Sequence, residues 1–151
     1  MLMDSRCNVV RGWPDDGSRQ RVETISAGAS LQNGDIVEKQ ADGTVNKAGT
    51  TNTAKNRFVG VVVRGNTDSA SAANSTSAVV LWGNYIAQFD STCYVAGAFA
   101  PGVAVSAGGT GSVGLLNLAG ATDPVMGFVL EVIAASTGVN GTTAHISVAA
   151  Y

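Results

Sequence analysis

The chain has 151 residues, a formal net charge of −2, and 45% hydrophobic against 13% charged residues. That length suits one compact domain with a real core, and roughly a quarter of the chain is Leu, Ile, Val or Phe, above the range that signals disorder. Every Lys and Arg lies at or before Arg64, so the second half carries only Asp68, Asp90, Asp123 and Glu131 as charged residues, which excludes nucleic-acid binding by phosphate neutralisation there.

Residues from Met1 to about Arg21 read as an extended arm. They hold Arg6, Arg11, Arg19 and Arg21 around the turn cluster Gly12-Trp13-Pro14-Asp15-Asp16-Gly17, with little periodicity. Arginine forks match carboxylates, and a tryptophan ring fills a pocket, so Arg6, Arg11, Trp13, Arg19 and Arg21 are the candidate partner-binding residues.

Residues 22–151 read as a single β-domain. Val alone supplies 20 residues, and branched side chains with abundant Thr and Gly favour strands and turns over helices. The first strand signals are about Val22 to Ile25, Asp35 to Gln40, Thr44 to Ala48, Phe58 to Val63, Ala78 to Leu81 and Tyr85 to Phe89. They continue with about Cys93 to Ala96, Val103 to Ser106, Ser112 to Leu118, Val125 to Ile133 and Thr143 to Ala149. Many short strands between Gly, Asn, Asp and Thr clusters predict an all-β sandwich or barrel. In Phe58-Val59-Gly60-Val61-Val62-Val63 apolar residues occupy both alternating faces, which predicts a strand buried on both sides, with Val125 to Val129 its equivalent. The polar stretches Gly65 to Thr76 and Ala135 to Thr142 read as exposed hairpin tips, or else as receptor or subunit contacts.

The chain repeats itself over about 31–82 and 100–148. Asn33-Gly34-Asp35-Ile36-Val37, Asp42-Gly43-Thr44-Val45 and Phe58-Val59-Gly60-Val61-Val62 are followed by Pro101-Gly102-Val103-Ala104-Val105, Thr110-Gly111-Ser112-Val113 and Met126-Gly127-Phe128-Val129. Gly34 to Gly43 and Gly102 to Gly111 are both 9 apart, while Gly43 to Gly60 is 17 and Gly111 to Gly127 is 16. Glycine takes φ > 0 or close main-chain approach at little cost, so what recurs is a backbone shape. The structural glycines are therefore Gly34, Gly43, Gly60, Gly102, Gly111 and Gly127.

Catalytic chemistry finds little support. The lone histidine, His145, lies in an alternating strand pattern. Cys7 and Cys93 fit no metal or redox spacing and read as reduced thiols of a protein made in a cytosol. Asp15-Asp16, Asp35 and Asp42 follow turn logic. Gly108-Gly109-Thr110-Gly111-Ser112 lacks the lysine and the strand-to-helix context of a phosphate loop, and no Ser-His-acid motif is present. The expectation is no enzyme, no cofactor and no metal. No signal-peptide pattern or membrane-spanning run is seen, so a soluble protein is expected.

The series Asn33-Gly34-Asp35-Ile36-Val37, Asp42-Gly43-Thr44-Val45, Phe58-Val59-Gly60-Val61-Val62, then an apolar strand reaching Trp82-Gly83, resembles the decoration or cement proteins of tailed-phage capsids. The likeness covers roughly Leu31 to Val148 and departs at Val103, where the family's acidic residue after the glycine is expected. The resemblance implies a virion protein, made in the bacterial host cytoplasm, that binds the major capsid protein on the head exterior as a homodimer or homotrimer and stabilises the lattice. The alternative is a carbohydrate- or receptor-binding β-domain of a phage fibre or surface protein, with Trp82, Tyr85 and Tyr94 as its candidate aromatic platform.

Overall fold

The structure, a computed structural model, describes residues 7–12, 20–26, 30–49, 59–65, 77–83, 85–108, 112–133 and 145–150. It is all-β, with no helix among the described residues. In chain order the strands are β1 (Cys7–Gly12), β2 (Gln20–Ser26), β3 (Ile36–Lys39), β4 (Val45–Lys47), β5 (Val59–Arg64) and β6 (Ser77–Gly83), followed by β7 (Tyr85–Phe89), β8 (Ala104–Ala107), β9 (Leu116–Leu118), β10 (Gly127–Ile133) and β11 (His145–Ala150). They form two antiparallel sheets, one ordered β2-β6-β5-β3-β4 and the other β1-β7-β11-β10-β8-β9. Advancing each label of the first order by five gives the second, apart from the added β1.

Registers follow the same correspondence. Both central pairs carry a shift at matching places, between Val62 and Arg64 in β5 against β6 and between Val129 and Glu131 in β10 against β11. A bulge bends the strand and increases its twist.

The main core lies between the sheets. The five-stranded sheet contributes Ile36, Val61 and Leu81, and the six-stranded sheet Tyr85, Ala87, Phe89, Val105, Val129, Ile146 and Val148. Burying each of the larger side chains contributes roughly 1.5 to 3 kcal/mol. A second cluster, Leu31, Val37, Val45, Val62, Ala78, Val80 and Trp82, occupies the opposite face of the five-stranded sheet. β5 is thus buried on both faces, as its sequence predicts, since Val61 and Val62 are both fully buried.

β10 corrects the matching expectation. Val129 faces the shared core, but Phe128 is 41% exposed and Val125 38% exposed. Register explains the difference. Ile36, Val61 and Leu81 form one row of the five-stranded sheet and point at the other sheet. The row at corresponding positions, Ala104, Phe128 and Ala149, points away from that core. The sheets therefore stack in the same sense, front on back, and β10 turns its back outward.

The arm reading also needs correction. Cys7–Gly12 is strand β1, antiparallel to β7 from Cys7↔Phe89 to Gly12↔Tyr85, and Gln20 and Arg21 begin β2 against Gly83 and Trp82. The cause is the unsatisfied edge of β7, which a short extended segment can complete through its backbone groups. Residues 1–6 and 13–19, the remainder of the expected arm, lie outside the described residues. The expected strand from Cys93 to Ala96 is a turn with one bridge, Tyr94 to Leu116. Most of the two long polar stretches also falls outside the described residues.

Candidate functional site

Two glycine turns make matching bonds to β5 and β10. Gly34, at φ 89°, donates its N–H to the Val62 carbonyl at 2.8 Å, and Gly102, at φ 85°, donates to Val129 at 2.8 Å. Each bond is answered from the central strand: the Val62 N–H reaches the Asp35 carbonyl and the Val129 N–H the Val103 carbonyl, both at 2.9 Å. A left-handed φ is costly for any residue with a β-carbon, so glycine is required at both corners. Gly43 sits at φ 87° in the β3–β4 turn, and the Asp42 carboxylate accepts the Thr44 N–H there at 2.9 Å. That bond, with the one from the Thr44 hydroxyl, holds the Asp42 carboxyl below its ordinary range. Gly111 lies outside the described residues.

Gly60 and Gly127 do different work. Gly60 lies under the Trp82 ring, where an added β-carbon would be 2.6 Å from its Cε3. Gly127 lies against the main chain of Ala149 and Ala150. Both are places of close approach, and both occupy the second-cluster or core face of a central strand.

Asn33 and Asp35 have roles that turn chemistry alone does not announce. The Asn33 side chain accepts the Cys7 N–H at 3.0 Å and donates to the Val63 carbonyl at 3.1 Å, tying β1 to β5. The buried Asp35 carboxylate accepts the Gln32 N–H at 2.8 Å and lies 3.7 Å from Lys47 Nζ. Close by, Ile36 donates to the Gly114 carbonyl at 3.0 Å, and Gly114 donates to the Ala48 carbonyl at 2.9 Å. The β8–β9 loop is thus hydrogen-bonded to the β3–β4 hairpin. The sequence signal was present in Asn33-Gly34-Asp35, but the partners lie in distant segments.

Asp90 and Asp123 cap their own turns, through the N–H groups of Thr92 and Gly120, each at 2.9 Å. Among the described residues no three His, Cys, Asp or Glu side chains are grouped to hold a metal ion. Cys7 and Cys93 are buried in the shared core and are not joined by a disulfide. Burial pushes the Tyr85 hydroxyl well above its ordinary range, with Cys7 adding to the effect.

Six large apolar side chains are exposed among the described residues. Phe128, Leu130 and Val132 of β10 are 39% to 47% exposed, and Val95, Val113 and Val125 are exposed too. Of the five candidate arm residues, Arg11 and Arg21 stand in β1 and β2, opposite Ile86 and Trp82, in different sheets. Arg6, Trp13 and Arg19 lie outside the described residues. The aromatic platform is not assembled: Trp82 and Tyr85 are buried, and Tyr94 packs edge-on against Phe99 with ring centroids 5.3 Å apart.

No helix among the described residues is long and apolar enough to cross a membrane. No protein-family model matches the chain, and comparisons with curated proteins and with solved structures give no match.

Proposed function

We propose that this chain is a structural virion protein that binds the exterior of a tailed-phage head lattice and stabilises it, built from two pseudo-repeated halves and acting without catalysis or cofactor. The observation that carries this reading is the doubled corner, Gly34 bonded to Val62 and Gly102 to Val129. It falls on the residues through which the sequence resembles decoration proteins, and gives them a shape-building role in place of a chemical one. The matching strand orders and bulges support the pseudo-repeat. Exposed Phe128, Leu130 and Val132, beside so few charges, suit burial against a repetitive protein surface or another copy of the chain. The partners are the major capsid protein and the chain itself, as homodimer or homotrimer, with no nucleic acid and no membrane. The carbohydrate-binding alternative loses two of its three candidate rings to the core.

The test mixes purified protein with tailed-phage heads assembled from the major capsid protein of the phage that carries this chain. Expected are co-sedimentation, regular added density on the outer surface by electron microscopy, and heads that survive hotter incubation. Heads that stay bare at micromolar protein would refute the reading. Trp13→Ala should weaken head binding by roughly 1 to 3 kcal/mol if the proposed contacts of Arg6, Arg11, Trp13, Arg19 and Arg21 are made.

A further inference from the structure

The two sheets differ at one edge. In the six-stranded sheet β7 is flanked by β11 and by β1, whereas β2, at the corresponding place in the five-stranded sheet, has β6 on one side and no described strand on the other. β2 pairs with β6 along its whole length, from Gln20↔Gly83 to Ser26↔Ser77, with no register shift. Its outer row of backbone groups is therefore regular over seven residues. Such an edge is a template for an added strand. The fold already completes the corresponding edge once, since β1 pairs antiparallel with β7.

We propose that β2 takes β2 of a second copy, giving a twofold antiparallel dimer centred on Val22. Within the strand Gln20–Ser26, the five residues Gln20-Arg21-Val22-Glu23-Thr24 are complementary to themselves about that residue. With Val22 set against Val22 of the second copy, Arg21 stands opposite Glu23 and Gln20 opposite Thr24, and the twofold axis makes each pairing occur twice. Opposite charges directly across an antiparallel pair stabilise it, and like charges destabilise it. Moving the centre by one residue sets Arg21 against Arg21 or Glu23 against Glu23, so the charges disfavour both neighbouring registers. The contact is isologous and closes at two copies, joining the two five-stranded sheets into one continuous sheet. It supplies the homodimer of the proposed function and rests on that reading for self-association only.

The experiment uses the full chain without heads. Sedimentation velocity over a dilution series should show a monomer–dimer equilibrium. Arg21→Glu and Glu23→Arg should each weaken it by about tenfold or more, because each puts like charges at both symmetric pairs. The R21E/E23R double variant should return to within about threefold of the original dissociation constant. Should a single variant fail to fold by near-ultraviolet circular dichroism, hydrogen exchange on the unaltered protein still decides: amides in 20–26 should be protected in the dimer and lose protection on dilution. A protein monomeric at every concentration, a trimer, folded single variants that dimerise normally, or β2 amides insensitive to dilution would overturn the dimer. A monomer that still coats heads removes the dimer alone, and a β2 dimer that leaves heads bare removes the capsid reading alone.

Discussion

A β-carbon placed on Gly127 would lie well inside 3.0 Å of the Ala149 carbonyl oxygen, across the β10–β11 ladder. The obstacle is backbone, and backbone in the middle of a sheet cannot swing aside. At Gly60 the nearest atoms are Trp82 Cε3 at 2.6 Å and Val80 Cγ1 at 2.7 Å, with the Leu81 carbonyl at 2.9 Å. Side chains can partly yield. Gly60→Val should destabilise by roughly 1 to 3 kcal/mol through overpacking, and Gly127→Val by about 3 kcal/mol or more. Chemical denaturation of the two variants checks both the size and the order; equal melting of both with the unaltered protein would contradict these contacts.

Gly43 and Gly102 separate conformational strain from crowding. Their φ angles are +87° and +85°, and nothing lies within 4 Å of an added β-carbon at either. Gly43→Ala and Gly102→Ala should each cost about 1 to 2 kcal/mol from the left-handed backbone alone. Asn tolerates that region better, so Gly→Asn at the same sites should cost less. Urea midpoints for the four variants test the ranking.

The central strands were legible because valine runs mark them: β5, β6 and β7 lie where Phe58 to Val63, Ala78 to Leu81 and Tyr85 to Phe89 place them, within two residues. β1 was not legible. Cys7-Asn8-Val9-Val10-Arg11-Gly12 has one apolar pair beside a turn cluster, and the register shift between Val9 and Arg11 breaks the period of two by which a strand is recognised. The outward face of β10 was hidden for another reason. Phe128 and Val61 sit in similar sequence, and only the order in which the sheets stack buries one and exposes the other. The corner glycines were readable as backbone requirements, whereas the partners of Asn33 and Asp35 lie in segments that only folding brings near.

The Asp35 carboxylate should matter more to its backbone partner than to its cation. It is buried and accepts the Gln32 N–H at 2.8 Å, while Lys47 Nζ is at 3.7 Å and its side chain remains 26% exposed. Asp35→Ala leaves a turn N–H without its acceptor and should cost about 1 to 3 kcal/mol. A double-mutant cycle with Lys47→Met should give a coupling below about 1 kcal/mol, the range of solvent-screened pairs. A larger coupling would show that the ion pair governs the site.

Tyr85 should make the fold sensitive to alkali. Its hydroxyl ionises well above the ordinary value because the ring is buried in the shared core. The unfolded chain releases that proton near pH 10 and the folded chain does not. Above that pH the folded state holds more protons than the unfolded one, so stability falls as pH rises; below it this group gives no pH dependence. Denaturation midpoints measured from pH 8 to 11.5 should decline past about pH 10. Tyr85→Phe should flatten the decline, and an unchanged slope would assign it to other groups.

Removal of the first twelve residues should injure the fold itself. β1 completes the edge of β7 from Cys7↔Phe89 to Gly12↔Tyr85, Cys7 is part of the shared core, and Asn33 holds the Cys7 N–H. Without β1 the β7 backbone groups lose their ladder and the core opens beside Tyr85, so truncation before Trp13 should cost at least about 2 kcal/mol, the lower end for a large core deletion. It should also raise aggregation through the bared edge. Asn33→Ala offers a milder version: it removes the acceptor for Cys7 and the donor to Val63 and should cost about 1 to 3 kcal/mol, with faster hydrogen exchange concentrated in residues 7–12 and their partners in β7. A truncated protein that melts with the full chain would show that β1 adds nothing to stability, and attachment would then be the remaining role for the N-terminal segment.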